Sequence, residues 1–140
     1  MLNSGAHLSA KIFADDIEQK PTRDGFGTGS VEAGKADSRV VVLCADLKES
    51  TRAEWFEKEF PERCIELGVA EQNMATVAAG LALAGKIPFI ASYAVFNPGR
   101  NYEQIRTTIA LNNVPVKLCG MHAGVSVGPD GATHQMLEDI

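Results

Sequence analysis

The sequence predicts an α/β domain, three layers deep, built around a mainly parallel sheet. Three observations carry that prediction. Val40-Val41-Val42-Leu43 is a near-continuous β-branched run, as expected of a strand covered on both faces, and parallel sheets bury both faces. Apolar residues recur at Met74, Val77, Ala78, Leu81 and Ala84, the spacing of one helix face. Segments of these two kinds alternate along the chain, which is the pattern of parallel α/β architecture.

Taken in order, Met1 to Lys20 is mixed and polar and is expected to form an arm (residues 1–20), with the domain spanning residues 21–140. Pro21-Thr22 opens a helix to about Gly34 that carries Phe26, Val31 and Ala33, with Thr22 able to cap it. Gly25, Gly27 and Gly29 work against that helix. Arg39 to Ala45 is the first strand, and Ala53 to Phe60 a short helix ended by Pro61. Cys64-Ile65-Glu66-Leu67 reads as a strand, and a helix follows from Ala70 with Gly85 as its C-cap glycine. Ile87 to Tyr93 is the next strand, with Pro88 near its start where a missing N–H does least harm. Asn101 to Leu111 is helical and Val114 to Gly120 a further strand. His134 to Ile140 reads as the first turns of a helix cut short, so the domain is expected to be incomplete at its C-terminus.

A length of 140 residues predicts one domain, enough to bury roughly two-thirds of its unfolded surface. Hydrophobic content of 45% and charged content of 22% are those of an ordinary globular protein. A net charge of -5 leaves no basic footprint for nucleic acid. Cys44, Cys64 and Cys119 are odd in number and isolated in apolar runs. They read as buried thiols in a reducing cytosol rather than as disulfides or metal ligands, which makes the expected location cytoplasmic. Met1 to Gln19 lacks the continuous apolar segment of a signal peptide, and no run is long enough to span a membrane.

The most informative stretch is Gly68-Val69-Ala70-Glu71-Gln72-Asn73-Met74. It puts a carboxylate in the loop between a strand and a helix, where open α/β sheets place their ligands. A helix-start charge accounts for most such acids, so Glu71 gains meaning from two further segments. Ala45-Asp46-Leu47 follows the hydrophobic strand, and Gly128-Pro129-Asp130-Gly131-Ala132-Thr133-His134-Gln135 lies far downstream. In that order the three segments resemble the pyrimidine-binding domain of transketolase-like, thiamine-diphosphate-dependent enzymes, from about Pro21 to the last residue. Within the family, the chain most resembles the separate C-terminal subunit of a split transketolase.

That resemblance implies roles for particular residues. Glu71 matches the glutamate that bonds the pyrimidine ring nitrogen N1′ and activates the cofactor. Phe96 matches the aromatic ring that stacks the pyrimidine, Tyr93 a neighbouring contact, and Asp46 an aspartate beside the cofactor at the subunit interface. Asn97-Pro98-Gly99-Arg100 departs from the family by one extra residue and a turn-forming Pro-Gly. Arg100, as a cofactor contact, and Gln104 then fill the equivalent helix-start positions, and Tyr102 falls out of register with a third family aromatic. His122, Asp130 and His134 match substrate positions: His122 at the sugar phosphate, Asp130 and the catalytic His134 at sugar hydroxyls. Arg23 and Ser50 match phosphate contacts. Histidine suits such work because it donates from either nitrogen and changes charge near neutrality, and an arginine fork suits phosphate. Arg23 and Asp46 also have plain readings, as a helix-start charge and a turn cap.

The implied reaction is transfer of a two-carbon ketol unit between sugar phosphates, with thiamine diphosphate as cofactor. Family members hold the diphosphate and its Mg²⁺ with a Gly-Asp-Gly motif and a following asparagine in a different domain. This chain has Pro129-Asp130-Gly131 without such an asparagine. The resemblance therefore implies a diphosphate-binding N-terminal partner subunit that carries the Mg²⁺, a dimer of such pairs, and no metal in this chain. Two alternatives stand beside it. Deoxyxylulose-phosphate synthase shares Thr133-His134-Gln135, although His122 favours transketolase. A non-catalytic partner domain would keep the fold without turnover.

Overall fold

The computed structural model describes residue 5 and residues 7–139. Residues 1–4 and 6 of the expected arm lie outside that range, as does residue 140 at the end of the expected last helix.

Four strands, β1 (Val40–Cys44), β2 (Cys64–Glu66), β3 (Ile87–Tyr93) and β4 (Lys117–Met121), form one sheet. Their order is β2-β1-β3-β4, and each neighbouring pair is parallel. Every residue of β1 is buried, and its period-2 alternation supplies two cores. Val40, Val42 and Cys44 pack with Ala53 and Phe56, beneath α1 (Thr22–Ala36) and α3 (Ala53–Glu59). Val41 and Leu43 pack with Met74, Ala75, Ala78 and Ile109, beneath α4 (Glu71–Leu83). Helices therefore cover both faces, and the three-layer α/β architecture is the observed one. Each buried aliphatic side chain in these layers contributes about 1.5–3 kcal/mol.

The glycines that weaken the first helix in sequence are what let it pack. A Cβ on Gly34 would lie 2.6 Å from both the Phe56 and Phe60 rings, and one on Gly27 would lie 2.4 Å from Trp55. The helix extends past Gly34 to Ala36. Thr22 does not cap it: the cap position is Pro21, without a side-chain bond, and Thr22 is already the first helical residue. A four-residue helix, α2 (Lys48–Thr51), precedes α3. Gly85 closes α4 as expected, with φ of 85°.

Three other expectations need correction. Strand β4 begins at Lys117 rather than Val114, because the Val114 amide closes the preceding helix on Ile109 O at 3.2 Å. That helix starts as α5 (Tyr102–Gln104) and continues in wider π-type turns from Ile105 to Ala110. No helix forms after His134 among the described residues. Met136 instead pairs antiparallel with Gly124 through two backbone hydrogen bonds, of 2.6 and 3.1 Å, and is buried. All three cysteines are free, but only Cys44 is buried; Cys64 and Cys119 are half-buried. Contact with Cys64 and burial push the Cys44 thiol up, the same contact pulls Cys64 down, and burial pushes Cys119 up to about 11. No described helix is long and apolar enough to cross a membrane.

Candidate active site

Parallel strands bring all their carboxyl ends to one edge of the sheet. Chain order reverses between β1 and β3, and such a switch point opens a crevice beyond the strand ends. Asp46 follows β1 into it, Glu71 follows β2, Tyr93 ends β3 with Phe96 just beyond it, and His122 follows β4.

Asp46 takes a left-handed conformation, φ 59°. One oxygen of Glu66, Oε1, accepts the amides of Asp46 at 2.7 Å, Leu67 at 3.1 Å and Gly68 at 3.0 Å. This carboxylate ties the end of β1 to the loop that enters α4. Gly68 sits at φ 64°, which glycine adopts without strain.

Glu71 is the first residue of α4 and is only 2% exposed. Arg100 Nη1 lies 3.0 Å from each of its carboxylate oxygens. The Arg100 guanidinium also sits over the Phe96 ring, 4.4 Å from its centroid. Two fully buried asparagines fix this corner. Asn101 Nδ2 donates to Glu71 O and to Asn97 Oδ1, both at 3.1 Å, and Asn97 Nδ2 donates to Ile90 O at 3.2 Å. The aromatic loop, Val95–Arg100, contains a cis Asn97–Pro98 peptide. Gly120 of β4 approaches it so closely that a Cβ would meet Asn97 O at 2.6 Å.

Two cavities open at this edge. One, of about 420 Å³, is lined by Asp46, Val69, Glu71, Phe96, Arg100 and His134. The other, of about 580 Å³, is lined by Arg23, Phe26, Met121, His122 and Ser126. Both are of ligand-binding size. Tyr93 lines neither; its buried ring stacks on His122 at 4.1 Å between centroids and meets Phe96 and His134 at 6.0 Å. His134 presents an edge to Phe96 at 5.3 Å. Its Nδ1 lies 2.9 Å from Thr133 Oγ1, which donates to Asp130 O at 3.1 Å. With the single hydroxyl proton given to that carbonyl, His134 Nδ1–H is the donor to Thr133 Oγ1.

His122 sits at φ 54°, with Nδ1 buried and without a partner among the described residues. Burial and then the Arg23 charge hold its ring below the ordinary histidine value. Arg23 Nη1 reaches Ser50 O at 3.3 Å, so it is the Ser50 carbonyl that meets the arginine. Asp130 is exposed and lines neither cavity, as are Tyr102 and, half-buried, Gln104. The sequence grouped Arg23, Ser50, His122, Asp130 and His134 as substrate contacts, with His122 and His134 expected to converge on one pocket. The fold instead puts Arg23 and His122 on one cavity and His134 with Asp46, Glu71, Phe96 and Arg100 on the other. Glu66, Asn97 and Asn101 were missed. Their signal was faint: an acid just before the glycine loop, and two asparagines flanking Pro-Gly-Arg.

Fold and cavities define a parallel α/β domain with a buried carboxylate, Glu71, and an aromatic ring, Phe96, on one cavity wall. A family model described as the transketolase pyrimidine binding domain matches residues 18–140. A Methanocaldococcus jannaschii chain named as a transketolase C-terminal section is 51% identical over 121 residues, 86% of this chain and 38% of its own length. Human transketolase is 41% identical over 120 residues, 85% of this chain and 19% of its own. A solved structure described as a split gene transketolase, inactive β4 tetramer, has a TM-score of 0.71 at 47% identity, covering 84% of this chain and 38% of that one. The chain belongs to the transketolase family and carries its pyrimidine-binding domain. It spans 38% of the archaeal relative and 19% of the human one.

Proposed function

We propose that this chain is the pyrimidine-binding part of an enzyme that moves a two-carbon ketol unit between sugar phosphates with thiamine diphosphate. On this reading residues 21–140 form that domain, and a partner subunit holds the diphosphate and Mg²⁺, in cytoplasmic dimers of such pairs. The observation that carries it is Glu71: a buried carboxylate at the strand-end crevice, on the wall of a cavity that also holds Phe96. That donor set suits a flat, nitrogen-bearing ring. Among the described residues no cluster of three or more His, Cys, Asp or Glu is placed to hold a metal ion, and none is asked of this chain.

When bound, thiamine diphosphate supplies the carbon centre that carries the ketol unit. Glu71 would give the ring nitrogen N1′ the proton it needs. Phe96 offers the stacking face, and Asp46 borders the same cavity. Arg23 and His122, which share the other cavity, bind the phosphate with Ser50. His134 and Asp130 bind sugar hydroxyls, with His134 moving a proton through Nε2. Tyr93, buried between the two sites, holds His122 and His134 in place.

Glu71→Gln keeps size and one accepting oxygen but cannot give N1′ that proton. In the assembled complex it should lower turnover by about 10²–10⁴-fold with an unchanged circular dichroism spectrum. Exchange of the cofactor's C2 proton for deuterium, followed by NMR, reads the step directly. Exchange as fast in the variant as in the parent would overturn this function for Glu71.

A further inference from the structure

We propose that Arg100 is a built-in competitor of the cofactor's pyrimidine ring, and that it thereby sets how tightly the assembled enzyme holds thiamine diphosphate. The inference rests on the reading of Glu71 and Phe96 as the ring's partners. Its own basis is the position of the guanidinium. Arg100 engages both Glu71 oxygens at 3.0 Å and covers the Phe96 ring at 4.4 Å. It is flat and cationic, and it donates hydrogen bonds from its edge. A pyrimidine ring that bonds Glu71 while stacking on Phe96 needs the same carboxylate and the same neighbourhood, and two flat groups cannot share it.

Burial explains why a stand-in exists. Glu71 is 2% exposed, whereas the Arg100 side chain is 46% exposed. A buried carboxylate without a partner is strongly destabilising, so the chain supplies a cation from the solvent side. The same exposure provides the exit, since a long arginine stem can carry its head back to water. The backbone does not need to move: fully buried Asn97 and Asn101 anchor the segment on either side of Arg100. What exchanges is one side chain for one ring. Pro98-Gly99 gives Arg100 its place in this loop.

The competitor and the supporting-residue readings differ in sign. If Arg100 must leave, removing its guanidinium should tighten the cofactor; if it stays to hold Glu71, removing it should weaken binding. Calorimetry with thiamine diphosphate and Mg²⁺ on the complex of this chain with its diphosphate-binding partner separates them. Arg100→Gln should lower Kd about tenfold, the ratio that ~1.4 kcal/mol of lost competition produces. Arg100→Lys, which keeps the charge but not the flat guanidinium over Phe96, should tighten it less. The rise in melting temperature on adding cofactor should be larger for Arg100→Gln than for the parent. Should the glutamine variant fail to assemble, the lysine variant decides alone. Unchanged or weaker binding in the assembled variants overturns the inference. A complex in which neither parent nor variant binds the cofactor overturns the proposed function along with it.

Discussion

The Glu66 carboxylate accepts the Asp46 amide at 2.7 Å and, with the same oxygen, the amides of Leu67 and Gly68. One side chain at the end of β2 thus closes the loops that carry Asp46 and Glu71. Glu66 is otherwise exposed, so these bonds form in partial competition with water.

Glu66→Ala should therefore destabilise the chain by about 1.5 kcal/mol, the low end for bonds to a charged acceptor. Glu66→Gln keeps an acceptor oxygen and should recover part of that loss. Urea unfolding of the two variants is the check. Equal midpoints for alanine, glutamine and parent would mean that the three bonds contribute nothing.

Glycines in α1 give a sharper contrast, because one substitution should act with opposite signs. A methyl at Gly34 would meet two phenylalanine rings at 2.6 Å, whereas at Gly29 nothing lies within 4 Å. Gly34→Ala should cost about 1–3 kcal/mol through overpacking. Gly29→Ala should stabilise by about 0.5–1 kcal/mol through better helix propensity and a less free unfolded chain. Shifts of the same sign in thermal melts would contradict the packing of α1 on α3.

These cases show what a sequence displays and what it hides. The β1 run and the α4 periodicity are local patterns, and both elements lie where the patterns put them. Glu71 is legible because a strand, a loop and a helix meet there in sequence. The pairing of Arg100 with Glu71 is not, since it joins positions far apart in the chain and depends on how one loop crosses another element. Helix-breaking glycines mislead for a related reason: propensity is local, while the space Gly34 gives to Phe56 is tertiary. At the C-terminal end, the segment that reads as a helix instead pairs the Met136 backbone with Gly124 and buries Met136, a long-range pairing that local sequence does not display.

Partner dependence makes a further test. On the proposed reading the chain supplies the pyrimidine-side residues, and its sequence has no Gly-Asp-Gly motif for a diphosphate. Titrated alone with thiamine diphosphate and Mg²⁺, it should show no tight binding, and affinity should emerge on mixing with the partner subunit. Micromolar binding by the isolated chain would show that this domain suffices.

The pH dependence of His122 is the last prediction. Burial and the Arg23 charge hold its pKa below 6.5 in the folded chain. The unfolded chain then binds a proton more readily than the native one across the window between the depressed value and 6.5. By linkage, the contribution of His122 to stability is fully present above 6.5 and is lost as pH falls through the folded pKa. The ring resonances should titrate with a midpoint below 6.5, and Arg23→Gln should raise that midpoint. A sugar phosphate in this cavity would act in the opposite direction. Its negative charge favours the imidazolium, so binding near neutral pH should draw a proton from solvent onto His122. Calorimetry of the assembled complex in buffers of different ionisation enthalpy measures that uptake, and His122→Asn should abolish it. Sugar-phosphate binding with no proton uptake in the parent would place the phosphate away from His122 and leave the larger cavity without its assigned ligand.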